Sequence, residues 1–159
     1  MKDLCKIEFK ELKELYLEYN NISDIKVLEN VKFKKLEILN LGENKISDIN
    51  ILEKVKFKEL KELDLSCNEI SDIKALEKVK FDKLEKLNLG SNKILYINNL
   101  ENVNFKELKE LDLSNNNISD IKVLENVNLK QLKKLDLSGN KINNKSIISK
   151  LKLKNVIEL

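Results

Sequence analysis

The sequence predicts an α/β fold of the solenoid kind. In this fold a right-handed, horseshoe-like arc carries a parallel β-sheet on its concave face and short α or 3₁₀ helices on its convex face. Three observations predict it. Leu12, Leu36, Leu60, Leu84, Leu108 and Leu132 follow one another at intervals of 24 residues, without insertion. Each opens the pattern L-x-x-L-x-L, and an asparagine stands at the ninth place of each unit: Asn20, Asn44, Asn68, Asn92, Asn116 and Asn140. An isoleucine comes two places later, from Ile22 through Ile142. A period of this length marks units that stack in one dimension, because no single unit can bury its own apolar side.

In chain order, residues 1–11 fit the back half of an earlier unit, with Leu4, Ile7 and Phe9 in phase. They read as an N-terminal half repeat or cap. Residues 12–155 hold six units, starting at 12, 36, 60, 84, 108 and 132. Within each, L-x-x-L-x-L is a short strand: period-two alternation sends the leucines to one face and the residues between them to the other. The asparagine ends the strand, and its side chain can bond turn backbone that burial would leave unpaired. The stretch that follows, such as "SDIKVLENV", changes period. Ile25, Leu28 and Val31 recur every three residues, as on a short α or 3₁₀ helix. Ser23 or Asp24 stands at the expected N-cap. Phe33, Phe57, Phe81 and Phe105, with Leu129 in the fifth unit, fill the return to the next strand. In the sixth unit, residues 143–155 lose the Ser-Asp and Phe phases but keep Ile148, Leu151 and Leu153. Residues 156–159, "VIEL", fit the first four places of a seventh unit. The whole reads as a single domain that begins and stops inside a unit. This fits a degenerate cap, a piece of a longer array, or an end that pairs weakly with a second copy; otherwise the chain is a monomer.

These residues resemble the leucine-rich repeat family, whose pattern is L-x-x-L-x-L-x-x-N-x-[LI]. All six units match it at the leucines and the asparagine. The portion N-x-I-S-D-I-x-x-L is similar to the short-repeat class found in bacterial internalins and in a eukaryotic regulator of type-1 protein phosphatase. Units of that class have about 22 residues; here V-x-F adds two. The resemblance implies a non-enzymatic protein that binds other proteins on its concave face or rims.

Composition narrows the chemistry. Hydrophobic residues make up 42% and charged residues 36%, as expected of a folded chain with a solvated surface. No apolar run approaches the roughly 18 residues of a membrane span. The start, "MKDLCKIEFKE", has no apolar signal region, so the expected location is cytoplasmic. Cys5 and Cys67 lie at different phases more than two repeats apart, and both read as free thiols in a reducing compartment. All 30 basic residues are lysine, and the net charge of +3 is too small to indicate nucleic acid or an anionic membrane. With no histidine there is no Ser-His-Asp or Cys-His pair and no histidine metal site. Gly42, Gly90 and Gly139 each stand alone and form no phosphate loop. No cofactor is expected.

The function is therefore sought on the concave face. The third, fifth and seventh residues of each strand are expected to point outward. From the first strand to the sixth these eighteen positions carry a net −5, which leaves +8 on the rest of the chain. An acidic groove disfavours nucleic acid and suits a protein partner with a basic surface. A 48-residue period lies over the shorter one: the third and fifth units read "LKELDLS", the second and fourth "LE" then "LNLG". The first unit departs from it. Tyr16, Glu18 and Tyr19 replace Asp, Ser and Cys or Asn, and next door Ile38 replaces the Lys86 type. Aromatic residues are common binding anchors. Tyr16, Glu18, Tyr19 and Ile38 are thus the candidate hot spot, and Asn40, Asp64, Asp112 and Asp136 extend it along the face. Asp112 and Asp136 are neighbours, so a lysine or a cation could bridge them. Leu95-Tyr96, in place of Ser-Asp in the fourth unit, is either drift or a second contact. Two other functions remain open: a regulatory subunit of an enzyme such as a type-1 phosphatase, and a structural or consensus-like array with no dedicated ligand.

Overall fold

The computed structural model of the chain describes residues 9–150 and 157–158. One parallel sheet runs in chain order through β1 (Glu14–Tyr16), β2 (Ile38–Asn40), β3 (Glu62–Asp64), β4 (Lys86–Asn88), β5 (Glu110–Asp112), β6 (Lys134–Asp136) and β7 (Ile157–Glu158). Leu15, Leu39, Leu63, Leu87, Leu111 and Leu135 are successive register partners. At the last pair Leu135 meets Ile157, a step of 22 instead of 24. The seventh strand is therefore displaced by two residues from the phase that "VIEL" implies, and the sheet has one strand more than the six leucine units. Leu4, Ile7 and Cys5 lie outside the described residues.

The leucines face inward. Leu60, Leu63 and Leu65 are 0–2% exposed, and their counterparts in the second and fourth units match them. Burying one such side chain stabilises by roughly 1.5–3 kcal/mol, and stacking supplies the cover that an isolated unit lacks. Leu12, Leu15 and Leu17 at the first strand are only partly buried. Phe33, Phe57, Phe81 and Phe105 are all buried. The rings of Phe33 and Phe57 stack at 6.2 Å, and Phe9, partly exposed, meets Phe33 at 6.1 Å.

The asparagines run as a ladder beneath the strands. Asn68 Nδ2 donates to the carbonyls of Leu41, Leu65 and Ser66, and its Oδ1 accepts the Ile46 amide at 2.8 Å. One side chain thus joins two units, its two N–H hydrogens shared among three carbonyls and its oxygen holding one amide. Asn44, Asn92, Asn116 and Asn140 repeat the pattern. Only the asparagine amide offers donors and an acceptor at this reach.

The convex segments are 3₁₀ turns of four to six residues: Lys26–Glu29, Asn50–Glu53, Lys74–Glu77, Asn98–Asn102, Lys122–Glu125 and Lys145–Lys150. The expected capping acid is displaced by one residue. Ile25, not Ser23 or Asp24, occupies the N-cap. Asp24 stands just before it and accepts the Lys26 amide at 2.8 Å, as Asp48, Asp72 and Asp120 do in their units. A three-residue turn is too tight to be capped from the α-helical position, so the aspartate closes an Asx turn instead.

Charged side chains explain the 48-residue period. Parallel units place each residue over the one 24 places on, so an exact 24-residue repeat would stack like charges. Alternation stacks opposite ones. Glu37 meets Lys13 at 3.4 Å and Lys61 at 2.6 Å, Glu85 meets Lys109 at 2.6 Å, and Lys35 meets Glu11 at 2.6 Å. Lys83–Glu59 and Lys93–Glu69 continue the rule.

Candidate functional site

A shallow groove of about 270 Å³ follows the concave face across β1 to β6. Its lining includes Tyr16, Ile38, Asn40, Asp64, Asp112 and Asp136 from the sequence-based set, together with Glu62, Lys86, Glu110 and Lys134. Five carboxylates and two ammonium groups thus line it. Glu18 and Tyr19 are not among its walls.

From the second unit to the sixth, the residue at the fifth place has work within the fold. Asn40 Oδ1 accepts the Gly42 amide at 2.9 Å, and Asn88 Oδ1 that of Gly90 at 3.0 Å. Asp64, Asp112 and Asp136 accept the amides of Ser66, Ser114 and Ser138 at 2.8–2.9 Å. Asp64 and Asp136 also accept the serine hydroxyls, at 2.6 and 2.7 Å. Asn88 Nδ2 donates to Asp64 Oδ2 at 3.0 Å and ties two strands together. Each Asx residue therefore folds the strand exit and keeps only part of its surface for a partner. Among the described residues, no group of three or more acids or cysteines could hold a metal ion.

The seventh residue does not face solvent as the alternation implies. Gly42, Gly90 and Ser114 are buried, and Ser66 and Ser138 are half-buried. A Cβ at Gly42 would meet Asn40 Oδ1 at 3.2 Å and Ser66 Oγ at 3.2 Å. The Asx turns fill this layer, so it accepts only small residues. Glu18 is the exception. It is half-buried, and its Oε2 is shut from water without a hydrogen-bond partner.

The eighth residue has left the strand. Tyr19, Glu43, Cys67, Ser91 and Asn115 have φ between 50° and 55°, and Gly139 has φ 67°. This is the left-handed region, which favours glycine and asparagine. Tyr19 is 80% exposed but sits in the turn beyond β1, not on the concave strand face. Cys67 is a free thiol in the same turn two units on, and burial pushes its pKa up, which opposes thiolate chemistry.

Tyr16 and Ile38 are brought together. Tyr16 lies 53% exposed on β1; Ile38 is half-buried on the neighbouring β2, two register places away and on the same face. The Tyr16 hydroxyl donates to Glu14 Oε2 at 3.1 Å. That bond, with the charges of Glu14, Glu62 and Glu18, holds the phenol above its ordinary pKa. Leu95 and Tyr96, 49% and 72% exposed, form a separate apolar spot before the fourth 3₁₀ turn. Composition alone gives no reason to separate these two sites; the strand register does.

Family models for leucine-rich repeats match residues 10–54 and 106–155 in a two-copy form, and 35–94 and 58–118 in another. Among solved structures, an internalin, inlF, from Listeria monocytogenes is 30% identical with a TM-score of 0.71. The match covers 99% of this chain and 51% of that one, so the chain spans about half the length of this relative. Internalin C2 of the same organism is 25% identical with a TM-score of 0.65, covering 94% of this chain and 72% of that one. The plant peptide hormone receptor RGFR1 in complex with RGF2 has a TM-score of 0.56 at 20% identity, covering 87% and 26%, and shares the fold alone. No curated protein sequence matches the chain.

Proposed function

We propose that this chain, which belongs to the leucine-rich repeat family, binds a partner protein through its concave face, with Tyr16 and Ile38 as the anchor. Leucine-rich repeat proteins generally mediate protein–protein interaction, and the family is typically non-enzymatic. The observation that carries the reading is the exposure of a tyrosine against an isoleucine in a groove whose other outward side chains are polar or charged. An aromatic beside an aliphatic, already held by a rigid sheet, gives contact area at little entropic cost. The excess of carboxylates in the groove suits a basic partner surface.

The test is affinity capture from the organism's own lysate with wild type and with Tyr16→Ser, after circular dichroism shows both folded alike. The expected result is one saturable partner held by the wild type and released from the variant. A partner retained equally by both would remove the anchor from β1. No saturable partner with either protein would favour the second reading, a structural array. The self-satisfying charge rows support that reading, since the stack needs no ligand to complete it.

A further inference from the structure

The third residues of the strands form a row: Glu14, Ile38, Glu62, Lys86, Glu110 and Lys134, each in register with the next. From β3 onward the row alternates acid and lysine, and Lys86 Nζ lies 3.2 Å from Glu62. By that rule β2 should carry a lysine. It carries Ile38, so on the β2 side Glu14 faces an isoleucine and not an ammonium group. Among the described residues no lysine forms an ion pair with Glu14; its one hydrogen bond comes from the Tyr16 hydroxyl. Glu14 and Glu62 stand two strands apart, roughly 10 Å at the backbone. Between them on β2 lies the Ile38 side chain, and two places beyond Glu14 on β1 stands the exposed Tyr16 ring.

We propose that this position takes a cationic side chain from the partner, an arginine by preference. Its stem would lie on Ile38 and Tyr16, and its charge between Glu14 and Glu62. The inference rests on the concave face being a protein-binding surface, and it names the partner's chemistry. The chain omits its own cation where the exposed Tyr16 ring adjoins the row. Arginine fits better than lysine because its planar, weakly hydrated guanidinium stacks on aromatic rings and serves two carboxylates at once. A neutral apolar partner would leave Glu14 desolvated and unpaired, which binding disfavours.

The experiment follows the Ile38 methyl signal by NMR while an acetylated, amidated Gly-Arg-Gly peptide is added, with the citrulline peptide as neutral control. A saturable shift at Ile38 is expected with arginine and none with citrulline. Glu14→Gln should weaken the arginine titration about two- to fivefold, the range of one exposed charge pair. Ile38→Lys, which restores the row from within, should abolish arginine-induced shifts at the Tyr16 amide while the protein stays folded. Equal shifts with citrulline, or titrations unaltered by Glu14→Gln, would overturn the proposal. The two readings separate cleanly. Partner capture lost in Tyr16→Ser but retained in Glu14→Gln keeps the binding face and rejects the cation.

Discussion

The first and third units share one phase, one backbone path and a glutamate at the third place, yet that glutamate is paired differently and the fifth and seventh places carry different residues. In the third, Glu62 is paired with Lys86, Asp64 closes the strand exit, and Ser66 fits the small layer beneath. In the first, among the described residues, Glu14 accepts only a tyrosine hydroxyl, Tyr16 has no carboxylate to accept the next amide, and Glu18 buries an unpartnered oxygen. The comparison teaches that the strand fold tolerates loss of its Asx turn at one end, and that the sites freed by this loss are the exposed ones. Interior strands are bonded on both edges and gain from every local device. The end unit buries its leucines only in part and depends less on each device.

The largest test of this contrast is in the asparagine ladder. Asn68→Ala should lower stability by about 3–4 kcal/mol in urea unfolding, because a donor to three carbonyls and an acceptor for one amide vanish from a buried site. Asn20→Ala, at an exposed residue donating to two carbonyls, should lower it by about 1 kcal/mol or less. Equal effects would mean the first unit is as integral as the third. Next in size, Gly139→Ala should destabilise by about 2 kcal/mol, measured as a shift in the unfolding midpoint. A Cβ there would come within 2.3 Å of Asn115 Oδ1, and the residue sits at positive φ. The double change Tyr16→Asp with Glu18→Ser, which writes the third unit's surface onto the first, should raise stability by about 1 kcal/mol and abolish partner capture. A gain of stability with capture intact would place the binding site elsewhere.

The smallest effect is on pH. Hydrogen bonds from Lys61, Lys93 and Lys109 hold the carboxyls of Glu37, Glu69 and Glu85 below their ordinary range. A depressed carboxyl contributes stability above its unfolded pKa and loses it as pH falls through the folded value. The urea midpoint should therefore stay level from neutral pH to about 5 and decline below about 4.5. Lys61→Met should flatten part of that decline, and an unchanged slope would deny the charge rows a share in holding the stack.

Most of the fold was legible because the period is long, uninterrupted and carried by residues with one possible job each. Leucines at period two and an asparagine at a fixed place leave few alternatives for backbone that must be buried and bonded. The candidate site was legible only in part. Tyr16 and Ile38 stood out because the repeats supply their own reference, and the sheet does bring them together. Tyr19 and Glu18 stood out by the same rule, but alternation was carried too far along the chain. It ends where the Asx turn bends the strand exit, and a linear pattern does not show that bend. The aspartates of the fifth place looked like free acids because a sequence does not reveal that an oxygen already holds the amide two residues on.

What the sequence determined by itself is therefore one-dimensional: the unit length, the buried phase, the stacked asparagines and the odd first unit. The tertiary structure alone decided which outward residues are spent on the turn, which fall in the small layer, and which carboxylates on the face find an ammonium partner. The physical reason is that a repeat fixes each residue's neighbours at one period's distance. Solvent exposure and unmet charge belong to three-dimensional surroundings, and they emerge only when the strands lie side by side.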